Sequence, residues 1–474
     1  MRNLLVAAAV LLATTANAAP TPGDIRIAEG LRDRALAGSG AFQIVESLTT
    51  EVGPRLPGSP AEARARDWAV AKMRALGFRN VHVEPFTIPG WARGVETAEV
   101  SAPVPQRLAI TALGHSGATP PRGIDAEVVG FPSMAAFREA TPAQVAGKIV
   151  FITHRMAVTQ DGSSYGAFNA IRTRAPAMAS KMGAAAIVIR SLGTDNHRLP
   201  HTGVTIWDAS SNGASGRPRT EIVSATPIPA AAMSVPDSEM LERLLARGPV
   251  RLHLTLTPRF TGPAPSGNVI GEIPGTGRPD EIVLIGGHLD SWDLGTGAID
   301  DGTGVAVTMA AAKLIADHGP ARRTIRVVAW GSEEIGLNGG TAYAKAHGAD
   351  HHILAAEDDF GTGRAWKMDT RVADAALPTV TAMARVLLPL GISLGGNDGG
   401  YESDLGPLAA FGVPVLDLAQ DGTGYFALHH TADDTLDKVD AHALDQTTAA
   451  YAAMVWMAAN GDATFGPAKP EAAR

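Results

Sequence analysis

The chain has 474 residues, of which 45% are hydrophobic, 19% charged and 5% aromatic, and its formal net charge is −8. That apolar fraction supports a large buried core and excludes a wholly disordered chain; at roughly 150 residues per domain, the length predicts about three domain-sized units. No block of lysine and arginine is present, which argues against a nucleic-acid or anionic-membrane partner, and the absence of cysteine excludes disulfides, thiolate metal sites and cysteine nucleophiles.

In chain order, Arg2 precedes the apolar run Leu4–Ala13 and the small-residue sequence Ala16-Asn17-Ala18. A positive start, a short apolar run and an A-x-A site predict a secretory signal peptide over residues 1–18, cleaved after Ala18. The run is shorter than the ~20 apolar residues of a membrane span, so no membrane anchor is expected. The expected destination is the periplasm or the medium.

Residues 19–104 read as the first part of one domain. Two helical stretches flank the loop Gly53-Pro54-Arg55-Leu56-Pro57-Gly58-Ser59-Pro60; the second, Ala61–Leu76, stops at Gly77, and a strand follows over Asn80–Pro85. Residues 105–264 read as a smaller inserted domain. Its β-like runs Ile149–Thr153 and Ala185–Arg190 alternate with Pro/Gly/Ser-rich loops, with one helix over Ala175–Met182.

Residues 265–474 alternate strand and helix. The spacing predicts strands at Glu281–Ile285, Thr324–Trp330, Ile353–Ala356 and Val413–Leu418, and helices at Val305–Ile315, Thr341–Ala346, Leu377–Leu388 and Ala441–Met457. This is the signature of an α/β fold with a mostly parallel central sheet covered by helices on both faces. In such sheets the active crevice lies outside the carboxyl ends of the strands.

Each of those four strands runs out into acidic or histidine residues: His288, Asp290, Asp300 and Asp301 after the first; Glu333 and Glu334 after the second; Glu357, Asp358 and Asp359 at the third; His429, His430, Asp433 and Asp434 after the fourth. So many carboxylates at one sheet edge repel one another unless cations lie among them. Without cysteine, imidazole and carboxylate are the available ligands, a set that suits zinc. A pair of metals needs a bridging carboxylate, and Asp300, at a glycine-flanked turn before a helix, suits that role. In the Glu333-Glu334 pair, one carboxylate can bind metal while its neighbour serves as general base.

Other signals read as structural. His318 and His347 each precede a glycine at a helix end, and His351, His352, His154, His197 and His201 read as surface residues. Gly162-Ser163-Ser164-Tyr165-Gly166 matches the G-x-S-x-G pattern, but Ser164 is too far from the strand ending near Thr153 for the tight strand-to-helix turn a serine nucleophile needs.

The strings GGHLDSWDLGTGAIDDGTG, WGSEEIGLNGG, EDDFGTG and HHTADDT, in that order, resemble the two-zinc exopeptidases that include bacterial aminopeptidases and glutamate carboxypeptidase. GPRLPGS is similar to the amino-terminal part of that family, and GKIVFITHR and GAAAIVIR resemble a protease-associated domain. The resemblance implies two Zn2+ ions. His288, Asp300 and Asp359 would hold one, and Asp300, Glu334 and His430 the other. It also implies Glu333 as general base, Asp290 as the carboxylate that orients His288, and a cis peptide between Asp300 and Asp301. The segment Gly399-Gly400-Tyr401-Glu402-Ser403-Asp404 departs from the shorter family pattern.

The implied activity is hydrolysis of short peptides or dipeptides by a metal-bridged water, as a carboxypeptidase or dipeptidase, with aminopeptidase as the alternative. A catalytically dead binding protein and an acyltransferase of glutaminyl-cyclase type are the remaining rivals. Short peptides are the expected partners, and a homodimer is a further expectation.

Overall fold

A computed structural model describes residues 19–208 and 224–469; residues 1–18, read as a signal peptide, lie outside them. The central sheet has eight strands in the spatial order Arg79–Ala92, Arg259–Ile273, Arg323–Trp330, Arg278–His288, His352–Glu357, Val415–Gln420, Ala365–Arg371 and Ser393–Leu394. The four middle strands, from Arg323–Trp330 to Val415–Gln420, are parallel. Antiparallel strands join them on both sides.

The middle strands are apolar runs buried along nearly their whole length, as expected where helices cover both faces of a sheet. On one face, helices Thr303–His318 and Ala441–Asn460 pack with Pro22–Leu36, Ala41–Glu51, Pro60–Ala75 and Leu377–Leu387. On the other, Trp330, Tyr343, Leu405 and Leu408 form a second core, brought by helix Asn338–His347 and the 3-10 segment Ser403–Phe411. Helix starts are set by local chemistry. The side chain of Ser59 accepts the Glu62 amide at 3.1 Å, with Pro60 in the first turn, and Asp440 accepts the amides of His442 and Ala443.

The long ribbon of Arg79–Ala92 and Arg259–Ile273 ends where Ala92 pairs with Arg259. Between them the chain builds a second eight-stranded sheet, which starts at Glu96–Ala102 and closes with Arg251–Leu256. Its faces bury separate apolar clusters, one around Val128, Phe151 and Leu254, the other around Phe137, Val150 and Ile187. Besides helix Ala175–Lys181, this unit carries helices Ser163–Thr173 and Val235–Leu245. Among the described residues, no helix is long and apolar enough to cross a membrane.

Candidate metal centre

His288 is the last residue of its strand and lies beside Trp330, the last residue of the neighbouring one. Glu333 and Glu334 follow Trp330, Asp359 follows strand His352–Glu357, and His430 lies in the loop after Val415–Gln420. Asp300 occupies the turn Ala298–Gly302 ahead of helix Thr303–His318, and its peptide bond to Asp301 is cis. Six acid and histidine residues separated by up to 142 positions thus meet at the carboxyl edge of the sheet.

Asp300 is the hinge of the cluster. Its Oδ1 lies 3.1 Å from His288 Nε2, and its Oδ2 lies 3.2 Å from His430 Nε2. Asp359 Oδ1 stands 3.4 Å from His288 Nε2, and Glu334 Oε2 stands 3.0 Å from His430 Nε2. The residues therefore fall into two groups that share one carboxylate.

Donor atoms of His288, Asp300 and Glu334 lie within 4.8 Å of one another; so do those of Asp300, His429 and His430, and those of His288, Asp301 and Asp359. Asp301, however, is already engaged. Its carboxylate accepts the amides of His288 and Gly304, both at 2.9 Å. Gly304 has to be glycine for this approach, because a Cβ there would stand 1.9 Å from the carbonyl oxygen of Asp358. His429 stacks on His430 with ring centroids 3.5 Å apart, and its Nε2 is 3.6 Å from Asp300 Oδ2.

The electrostatics call for cations. Burial opposes charge on His288, yet Asp359, Asp300 and Asp301 outweigh it and raise the imidazole well above its usual range. His430 is likewise pushed up to about 9: burial works against it, and Glu334 and Asp300 win. Burial would raise Asp300, but its contacts with His288 and His430 hold it well below the carboxylate range. Among the described residues, Asp300 Oδ2 and Glu334 Oε1 are buried with no hydrogen-bond partner, a costly state that a metal ion would relieve. Oxygen and imidazole donors, with no thiolate, fit zinc.

Supporting contacts come from several directions. The backbone carbonyl of Asp290, 2.9 Å from His288 Nδ1, orients that ring; the Asp290 carboxylate lies 3.9 Å away. That carboxylate accepts the amides of Glu333 and Glu334, and burial raises it to about 7. Ser403 Oγ donates to Asp359 Oδ2 at 2.5 Å. Arg55, fully buried, donates to the carbonyls of Leu289 at 2.6 Å and Gly297 at 2.8 Å, tying the 53–60 loop to the cluster. Arg55 stands in the GPRLPGS string and Ser403 in the segment that departs from the family pattern, but the sequence alone assigns neither a role.

A cavity of about 960 Å3 opens over the cluster, lined by Asp300, Glu333, Glu334, Asp359 and His430. The second unit forms its far wall through Tyr165, Asn169 and Arg172. Tyr165 is part of the G-x-S-x-G match, whose Ser164 Oγ accepts the Ala157 amide. Three histidines expected at the surface are buried: His201 at 2%, His154 at 4% and His352 at 7% exposure. Tertiary contacts enclose them: His201 meets Asp195 and the His429 carbonyl, and His352 meets the Tyr343 hydroxyl.

An α/β sheet with this acid–imidazole cluster at its carboxyl edge defines a metallo-exopeptidase. The chain belongs to Peptidase family M28, whose model matches residues 268–455. It is 33% identical to carboxypeptidase Q of Bos taurus over 426 residues, covering 89% of this chain and 85% of that protein. The crystal structure of a peptidase M28 precursor from Shewanella amazonensis superposes with a TM-score of 0.89 at 44% identity, covering 94% of this chain and 99% of the other. A zinc aminopeptidase from Bacillus subtilis shares the fold, with a TM-score of 0.62 at 21% identity over 92% of this chain and 96% of its own.

Proposed function

We propose that the protein is an exported, dinuclear zinc exopeptidase of carboxypeptidase Q type that hydrolyses short peptides or dipeptides. The observation that carries this reading is the division of Asp300, whose two oxygens face His288 and His430 on opposite sides. His288, Asp300 and Asp359 would hold one zinc ion, and Asp300, Glu334 and His430 the other. Zinc held by these residues would supply the Lewis acidity that activates a water and polarises a scissile carbonyl.

The chain's own groups complete the reaction. Glu333 borders the cavity beside Glu334 without ligating, so its carboxylate takes the proton of the attacking water and passes it to the leaving amine. Asp290 holds the backbone of both glutamates, which keeps the base at a fixed distance from the scissile bond. The aromatic wall of Tyr165, Tyr425 and Phe426 keeps bulk water from the amide.

Arg172 favours recognition of a free α-carboxylate over a free amine. It is 6% exposed, lines the cavity and, among the described residues, makes no salt bridge. A buried guanidinium without an acidic partner is a ready counter-ion for an anionic substrate group. Export is inferred from residues 1–18 alone.

The test is hydrolysis of one short peptide in unblocked, amino-blocked and carboxyl-blocked forms, with and without a chelator. The expected result is chelator-sensitive cleavage that amino blocking leaves intact and carboxyl blocking slows about 10–100-fold, the size of one charge-assisted hydrogen bond. Cleavage abolished by amino blocking alone would make it an aminopeptidase, and chelator-insensitive cleavage would overturn the metal centre.

A further inference from the structure

The loop that carries His430 is docked on a strip of the second unit, residues 193–202. The Thr194 amide donates to the carbonyl of Phe426 at 3.1 Å, and the Thr202 amide to the carbonyl of His430 at 3.0 Å. His201 Nδ1 lies 2.7 Å from the carbonyl oxygen of His429, and His430 Nδ1 lies 3.2 Å from the carbonyl oxygen of Thr202. The other ring nitrogen of His201, Nε2, is 2.7 Å from Asp195 Oδ2, and both side chains are 1% exposed. The His201 amide donates to Ser191 Oγ at 2.9 Å. Gly193 lies flat against the ring, and a Cβ there would stand 2.2 Å from Nε2.

These contacts matter because of the backbone at His430. Its φ is +62°, a left-handed conformation that an L side chain keeps only where its surroundings hold it. The carbonyls on the two sides of that torsion belong to His429 and His430. His201 holds the first and Thr202 the second, so the strip fixes the torsion itself. With Nδ1 placed 3.2 Å from the Thr202 carbonyl and 3.3 Å from Arg172 Nη1, Nε2 is left facing Asp300 and Glu334. For a ligating imidazole, the partner of the remote nitrogen sets ring orientation and tunes affinity.

We propose that Asp195 and His201 are positioning residues of the metal centre: by holding the His429 carbonyl they keep the imidazole of His430 aimed between Asp300 and Glu334. This rests on the reading of that centre given above. Neither side chain lines the cavity, and His201 reaches across to a loop some 228 residues away in sequence.

The experiment uses the full mature chain loaded with Zn2+, and separately with Co2+. Ion content, the rate of ion release to a chromogenic chelator, the cobalt ligand-field spectrum and kcat and KM are measured for wild type and variants. Asp195→Asn and His201→Ala should each release one of two ions about 10–100-fold faster, the scale of lost support to a metal-bound histidine, while the other leaves at the wild-type rate. The cobalt spectrum should shift, and kcat should fall with little change in KM. His201→Asn, which keeps an amide nitrogen near the position of Nδ1, should recover part of the loss. Lys148→Ala, at an exposed pair with Glu127 in the same unit, should release both ions as wild type does.

Wild-type release of both ions from Asp195→Asn and His201→Ala, with only a lowered unfolding temperature, would overturn the positioning role. Equal loss of both ions would overturn it too, as general loosening. If His201→Ala does not fold, Asp195→Asn and His201→Asn decide the matter, since the first preserves shape and the second keeps a donor near the position of Nδ1. A folded wild type that takes up no metal would overturn the centre itself, and the positioning role with it.

Discussion

The carboxylate of Asp290 accepts the backbone amide of Glu333 at 3.0 Å. The turn that presents Glu333 is therefore held by its main chain, and the side chain is free for chemistry. Enclosure pushes the Glu333 carboxyl well above its usual range; His288 pulls it down, and Asp359 and Glu334 add to the rise. Glu333→Ala is expected to keep both metal ions and lose turnover by about 10²–10⁴-fold, the usual contribution of a general base. Metal content and kcat measured on one preparation check this; retained turnover would remove Glu333 from the role.

Ser403 belongs to the segment that departs from the family pattern, and its hydroxyl satisfies the oxygen of Asp359 turned away from His288. Ser403→Ala is expected to weaken one metal ion by about 10–100-fold and leave the other unchanged. A chelator titration that resolves two affinities reports it.

For Arg172, the discriminating comparison is between substrates. A charge-assisted hydrogen bond to a substrate carboxylate contributes about 1.5–3 kcal/mol. Arg172→Gln should therefore reduce kcat/KM for peptides with a free carboxylate by about 10–100-fold, and change little for carboxyl-amidated peptides. An equal loss on both would assign Arg172 to packing against Tyr165 and His430.

His154 gives the fold a pH dependence away from the centre. It is 4% exposed, both ring nitrogens lack hydrogen-bond partners, and burial, with Arg190 and Arg155 adding to it, lowers its pKa to about 3. Unfolded, the ring titrates near 6.5, so between about 6.5 and 3 the unfolded chain binds more protons. Stability is complete above that window and falls as the pH drops through it. His154→Leu should remove on the order of 2 kcal/mol of the loss at pH 4.5. Denaturant melts at pH 7 and 4.5 measure it, and an unchanged difference between the two pH values would refute it.

Much of the centre was legible because its residues end strands. Apolar runs such as Glu281–Ile285 and Thr324–Trp330 lie inside the strands Arg278–His288 and Arg323–Trp330, and the acids and histidines beyond them meet as the parallel order requires. Strand Arg259–Ile273 escaped notice because Pro263 and Pro265 read as breakers. They are tolerated there because that half pairs on one side only, opposite Pro89 and Thr87. Thr202 was invisible for a different reason. It acts through its backbone carbonyl, which any residue would supply, and only the fold brings it to His430.

Because Ala92 and Arg259 are paired neighbours, the chain departs from the central sheet and returns to it at a single point. A two-residue hairpin could close that gap without breaking a strand, and the shortened protein would keep its sheet and four of the five proposed ligands in place. It would lack the carbonyl of Thr202 and the hold of His201, leaving His430 to wander. If the proposed bracing role holds, a part that topology makes removable is one the metal centre leans on, and a minimal version of this enzyme would carry a replacement brace for one histidine.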